Sequence, residues 1–165
     1  RVFSSYKVLN LGYSGQRIEN LRWRLENGEL DGYRARVFTL MIGTNNGNPP
    51  VCSADDIYGG IADIVGILRV RHPESKVVLC GLLPCGERND NDFGRKAKSV
   101  NGRLAELADG KDVFLIDYSN RCADGQGCVL KEYLFDLCHP TEAGYAFWWD
   151  ELKPLLERFC KREME

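Results

Sequence analysis

Asp136 and His139, three residues apart in the run Asp136-Leu137-Cys138-His139-Pro140, are the groups in this chain best placed to move a proton. On a tight turn or a first helical turn that spacing puts both side chains on one face. A carboxylate so placed accepts the proton on one imidazole nitrogen, fixes the tautomer and leaves the other nitrogen as a general base. His139 is one of only two histidines. The same run also reads as a helix start, with Pro140 in a first turn and Asp136 and Thr141 as ordinary capping residues. The stretch alone leaves both readings open.

The elements that would position such a pair alternate along the chain. Residues 7–11 read as a short strand and residues 12–15 as a tight turn. Ile18, Leu21 and Leu25 follow helical spacing, with Gly28 as a stop. Residues 36–42 form a nearly continuous apolar run, as expected of a strand buried on both faces, and end in the loop Gly43-Thr44-Asn45-Asn46-Gly47. Ser53 and Asp56 suggest a capping box. Behind it Ile57, Ile61, Ile64, Val65 and Leu68 mark a helix that stops near His72-Pro73, where His72 reads as a solvated cap. Residues 76–83 are the next buried strand, closed by Pro84. Ala97, Val100, Leu104 and Leu107 mark a third helix, and residues 113–116 another strand. A loop rich in Gly, Asp and Cys covers residues 120–130. The last helix presents Tyr145, Trp148, Trp149, Leu152, Leu155, Leu156 and Phe159. This alternation predicts a parallel-sheet α/β domain. In such sheets ligands bind beyond the carboxyl ends of the strands; residues 12–15, 43–46 and 136–139 all lie in loops.

The bulk properties narrow the function classes. A length of 165 residues suits a single domain over residues 1–165 with a real core. Twenty-two basic against 24 acidic residues, a formal charge of −2, argue for no nucleic-acid surface. Arg17, Arg22 and Arg24 cluster but interleave with Glu19 and Glu26, which reads as a solvated helix face. No apolar run approaches a membrane span. Seven cysteines, at 52, 80, 85, 122, 128, 138 and 160, form no CxxC pair. Cys80 reads as a buried thiol, and Cys122 and Cys128 as bridging partners if the protein is exported. A zinc site from Cys122, Cys128, Cys138 and His139 lacks the usual paired spacing. The compartment stays open.

Asn10-Leu11-Gly12-Tyr13-Ser14-Gly15, Gly43-Thr44-Asn45-Asn46 and Asp136-x-x-His139 fall in the order and spacing of the SGNH (GDSL-type) hydrolase superfamily. Trp23-Arg24-Leu25-Glu26-Asn27-Gly28-Glu29-Leu30 resembles its platelet-activating factor acetylhydrolase type Ib branch and bacterial relatives. The resemblance implies a flavodoxin-like three-layer sandwich and hydrolysis of acetyl or other short acyl esters, on lipids or carbohydrates, without a metal or other cofactor. It also implies a small-molecule ester as partner and suggests a homodimer. Carried over by position, Gly15 resembles the glycine whose N–H lines the oxyanion hole, and Asn45 the asparagine whose amide is a second donor there. His139 resembles the general base and Asp136 its orienting carboxylate. Losing one oxyanion donor typically costs about 3 kcal/mol of transition-state stabilisation. As turn chemistry alone, Gly15 and Asn45 are ordinary loop residues. The loops at residues 49–52 and 85–93 are expected on the rim.

One departure matters. The family's nucleophile is a serine in Gly-Asp-Ser at the end of the first strand, and this sequence contains no Gly-Asp-Ser. The chain therefore reads as N-terminally truncated, lacking a strand–helix unit of about 30 residues. Because that strand is internal in a flavodoxin-like sheet, a slot is expected between the strands at Lys7 and Val37; direct pairing of those two would refute the topology. Ser14 mimics a nucleophile elbow, but Gln16 stands where the elbow's second glycine belongs. Cys138 adjoins His139 directly, and neighbouring side chains diverge too much for easy in-line proton transfer; Ser4 and Ser5 face no evident base. The expected function is a serine esterase whose serine precedes Arg1; the competing reading is a non-catalytic homologue that binds a ligand or a protein.

Overall fold

The computed structural model describes residues 6–48 and 51–160. Strands β1 (Val37–Leu40), β2 (Lys76–Cys80) and β3 (Val113–Ile116) form one parallel sheet in the order β1-β2-β3. Val37 sits opposite Lys76, and Val77 opposite Val113. With that register the three carboxyl ends finish at one edge. The helices are α1 (Ile18–Glu26), α2 (Thr44–Gly47), α3 (Ala54–Arg71), α4 (Asp92–Leu107) and α5 (Glu142–Cys160), with a 3₁₀ turn at Ser119–Cys122.

The two-residue period of the strands divides the core. Leu40, Val77, Leu79 and Val113 face the apolar stripes of α1, α3 and α4, including Ile18, Ile61 and Leu104. Val78, Cys80 and Ile116 face the opposite way, onto Leu152 and Leu156 of α5. Helices therefore cover both faces of the sheet. The Ser53 capping box is present: the Ser53 hydroxyl accepts from Asp56 N at 3.1 Å, and Asp56 Oδ2 accepts from Ser53 N at 2.9 Å. Asn91 caps α4, its Oδ1 accepting from Gly94 N at 2.7 Å.

Several sequence expectations are corrected. Residues 7–11 are not a strand, and Val8 and Leu9 are 59% and 61% exposed. A strand needs a ladder partner, and no strand among the described residues runs beside this segment. The same holds for the outer edge of β1, so residues 7–11 and β1 do not pair. The expected strands 36–42 and 76–83 shrink to four and five residues because the ladders extend no further. The run 36–42 is not buried throughout: Thr39, in β1, and Met41, just after it, are exposed. The loop after β1 contains the single turn α2. His72 is not solvated; it ends α3, its Nε2 lies 3.1 Å from Leu30 O, and Tyr33 and Phe38 pack on its ring. Arg22 does lie on a solvated face, paired with Glu26 and Asp63, but the Arg24 side chain is only 16% exposed. Cys122 and Cys128 are free thiols, and the disulfide joins Cys85 to Cys138 instead. Ser4 and Ser5 lie outside the described residues, as do residues 49 and 50 of the expected rim.

Helix α5 bears on the loop that carries His139. The Thr141 hydroxyl accepts from Gly144 N at 3.1 Å, and Thr141 N donates to Tyr133 O at 2.9 Å. A Cβ on Gly144 would collide with that same Tyr133 carbonyl, which is backbone and has no room to retreat. Gly59, inside α3, faces open space. Gly144→Ala is therefore expected to lower stability by about 1–3 kcal/mol. Gly59→Ala should raise it by about 0.5–1 kcal/mol through lost backbone entropy in the unfolded chain. Denaturant midpoints at unchanged slope check the pair; equal shifts for the two variants would contradict the packing described.

Candidate active site

The spacing of Asp136 and His139 becomes a tight turn. Asp136 Oδ1 accepts from Cys138 N at 3.1 Å and from His139 N at 2.8 Å, while Oδ2 lies 2.7 Å from His139 Nδ1. The turn closes because Leu137 adopts φ +66°, the one left-handed residue other than glycine among those described. A left-handed Leu costs about 1–2 kcal/mol, so neighbouring contacts must hold it. Gly86 N donates to Leu137 O at 2.9 Å, and Cys138 is bonded to Cys85. An ionised carboxylate only accepts, so His139 Nδ1 carries the proton and Nε2 presents a lone pair. The imidazole is 71% exposed, with the Phe135 ring stacked beside it at 6.0 Å. Cys138, held in the disulfide, is no nucleophile.

Asn45 and Gly15 form a second local pair. Gly43, with φ +120°, turns the chain out of β1 into α2, and a Cβ there would lie 2.9 Å from Ile57 Cγ2. Asn45, on α2, donates from Nδ2 to Gln16 O at 3.0 Å, next to Gly15. A primary amide carries a second N–H beyond the one so used. Gly15 is exposed in its turn with φ +73°. Asn46, which the sequence did not single out, is buried and holds the start of α1: its Oδ1 accepts from Ile18 N at 3.0 Å, and its Nδ2 donates to Glu19 Oε2 at 2.9 Å.

A chain of contacts links the two pairs. Asn48, just after α2, donates from Nδ2 to Cys85 Sγ at 3.2 Å, and Cys85 is bonded to Cys138, the neighbour of His139. Cys85 follows β2 in the same way that Asn45 follows β1. Both segments leave the carboxyl edge of the sheet, and the disulfide ties the His139 turn to them. The bond spans 53 residues of sequence, so the pairing had no local signal; an odd set of seven cysteines allows too many partners.

The backbone N–H of His139, then its ring N–H, hold the Asp136 carboxyl below the usual carboxylate range. A carboxyl that titrates lower in the folded protein anchors the turn fully above the ordinary value of about 3.9 and loses that role as pH falls through the folded value. The carboxyl-carbon NMR signal of Asp136 is expected to titrate with a midpoint below that ordinary value. A midpoint at or above it would contradict the anchoring.

Residues 1–147 match the GDSL-like Lipase/Acylhydrolase family. The platelet-activating factor acetylhydrolase IB subunit alpha2 of Rattus norvegicus is 34% identical over 146 residues, covering 88% of this chain and 62% of that protein. Subunit alpha1 of Homo sapiens is 31% identical over 163 residues, covering 98% of this chain and 69% of that one. The chain thus spans less than two thirds of the length of the rat relative. A GDSL-like lipase from Bacteroides thetaiotaomicron shares the fold, with a TM-score of 0.80 at 23% identity over 95% of this chain and 78% of its own. The family match over residues 1–147, with the identity to these acetylhydrolase subunits, shows that the chain belongs to the GDSL-like lipase/acylhydrolase family.

Proposed function

We propose that this chain forms most of a serine esterase acting on acetyl or other short acyl esters, with the nucleophilic serine supplied by residues that precede Arg1. The observation that carries the reading is the 2.7 Å contact between Asp136 Oδ2 and His139 Nδ1, in a chain similar to acetylhydrolase subunits. Three features support the upstream serine. The 165 residues hold no Gly-Asp-Ser, no strand among those described pairs with the outer edge of β1, and the relatives are longer than this chain. A strand added at that edge would extend the sheet toward a flavodoxin-like arrangement and carry its serine to the carboxyl edge.

In this reading His139 Nε2 takes the serine proton as the oxygen attacks the acyl carbon. The carbonyl oxygen becomes an anion and accepts from Gly15 N–H and the Asn45 amide. As the tetrahedral intermediate collapses, the alcohol leaves with the proton held by His139. Water then attacks the acyl-enzyme and gives its proton to the same nitrogen; as the second tetrahedral intermediate collapses, the serine oxygen takes that proton back and the acid is released. Asp136 stays ionised throughout and stabilises the imidazolium. The names of the relatives favour acetyl esters.

The test uses the protein extended upstream through its Gly-Asp-Ser strand, with p-nitrophenyl acetate as substrate. His139→Gln is expected to lower kcat by about 10³-fold or more, and Asp136→Asn by on the order of 10²–10⁴-fold. Asn45→Ala should lower it by about 10²–10³-fold. Full turnover by His139→Gln, or loss of turnover on Ser14→Ala with the upstream serine intact, would overturn the assignment. An upstream sequence with no Gly-Asp-Ser would favour the non-catalytic binding homologue.

A further inference from the structure

Arg24 lies in α1, outside the site described above, yet its side chain reaches the turn that carries Gly15. Its Nη1 donates to Leu11 O at 3.2 Å and its Nη2 to Gln16 Oε1 at 2.6 Å. The guanidinium carbon stands 4.5 Å from the centre of the Tyr13 ring. One planar group thus touches the residues before, within and after the approach to Gly15. Glu29 balances its charge through a direct ion pair with Nη1. The left-handed Gly28 (φ +101°) makes this possible by folding the chain back after α1, so that Glu29 N donates to Arg24 O at 3.1 Å.

Stability does not account for this arrangement. The two side chains are 16% and 12% exposed, and Arg24 Nε and Glu29 Oε2 are buried with no hydrogen-bond partner among the described residues. Buried ion pairs are often no better than apolar residues of the same volume, and orphaned buried polar atoms make the balance worse. Arg22, two residues earlier, shows the cheaper alternative: it pairs with Glu26 and Asp63 in solvent. What Arg24 adds is direction, because a guanidinium fork fixes several acceptors in one plane where an ammonium cannot. The segment it grips needs such a hold, since residues 7–13 are in no helix or ladder. Asn45 fixes the far end of the turn through Gln16 O; Arg24 fixes the near end at Leu11 and the Gln16 side chain.

We infer that Arg24, charge-balanced by Glu29, is a positioning residue that sets the aim of the Gly15 N–H by clamping Leu11, Tyr13 and Gln16. The inference rests on the esterase reading for its consequence in catalysis, but its structural half stands apart from it. Two measurements separate them. In the 165-residue chain, Arg24→Met keeps the apolar stem and removes the fork. The backbone 15N order parameters of Gly12, Gly15 and Gln16 are expected to fall from the rigid range, about 0.85, to below about 0.6, with those of β2 unchanged. In the upstream-extended protein, Arg24→Met should lower kcat on p-nitrophenyl acetate by about 10–100-fold with KM within about twofold. Arg24→Lys should recover only part of that loss. An unchanged order parameter at Gly15 in Arg24→Met overturns the clamp, whatever the activity. A lowered Gly15 order parameter with wild-type kcat in Arg24→Met, or full recovery of kcat by Arg24→Lys, overturns its role in catalysis. An extended protein with no esterase activity overturns the esterase reading, and the order parameters then still decide the clamp.

Discussion

The covalent bond between Cys85 and Cys138 is the constraint on which the site hangs. It joins the loop leaving β2 to the turn that carries His139, two segments that no ladder connects. In the loop-closure view, a crosslink across 53 residues removes about 4 kcal/mol of unfolded-chain entropy. Next to it Leu137 is held left-handed, which lets one aspartate accept from two backbone N–H groups and the ring N–H of His139. The strained residue and the crosslink are neighbours because each needs the other. The left-handed turn brings Asp136 under His139, and the disulfide with the Gly86 contact keeps that turn against the sheet.

The other half of the site is assembled by uncharged side chains. Asn45, Asn46 and Asn48 sit on or just after one turn of helix, and each reaches a different partner: Gln16 O, the first turn of α1, and Cys85 Sγ. α2 therefore works as a junction between the Gly15 turn on one side and the disulfide on the other. Of these supports Asn46 is buried whereas Asp136 and Asn48 are exposed, so hydrogen bonds and the disulfide, more than burial, hold the imidazole and the glycine in place. Arg24 extends the same logic to the irregular segment ahead of α1, where no backbone ladder is available.

Much of this was legible from residue order, and the failures have physical causes. The 3.6-residue stripes of α1, α3, α4 and α5 and the apolar runs at β2 and β3 are local signals, and they held. The Ser53–Asp56 capping box and the Asp136–His139 spacing are equally local, and the contacts they imply are present. The strand expected at residues 7–11 failed because strand formation depends on a partner, which a local pattern cannot supply. Arg24 was read as a surface charge since its neighbours in sequence are surface charges. Its burial depends on Glu29 and on the turn from residue 11 to 16, both outside its own helix. The Cys85–Cys138 pairing depends on tertiary proximity alone.

The account turns on whether the imidazole and the two donors serve one bound acyl group. Its most direct measurement is a crystal structure of the upstream-extended protein after reaction with an organophosphonate that mimics the tetrahedral intermediate. The account predicts a phosphonyl oxygen within hydrogen-bond reach of both Gly15 N and Asn45 Nδ2, with the His139 imidazole beside the modified serine oxygen. A phosphonyl group bound to a serine remote from His139, or an oxygen turned away from residues 15 and 45, would contradict it.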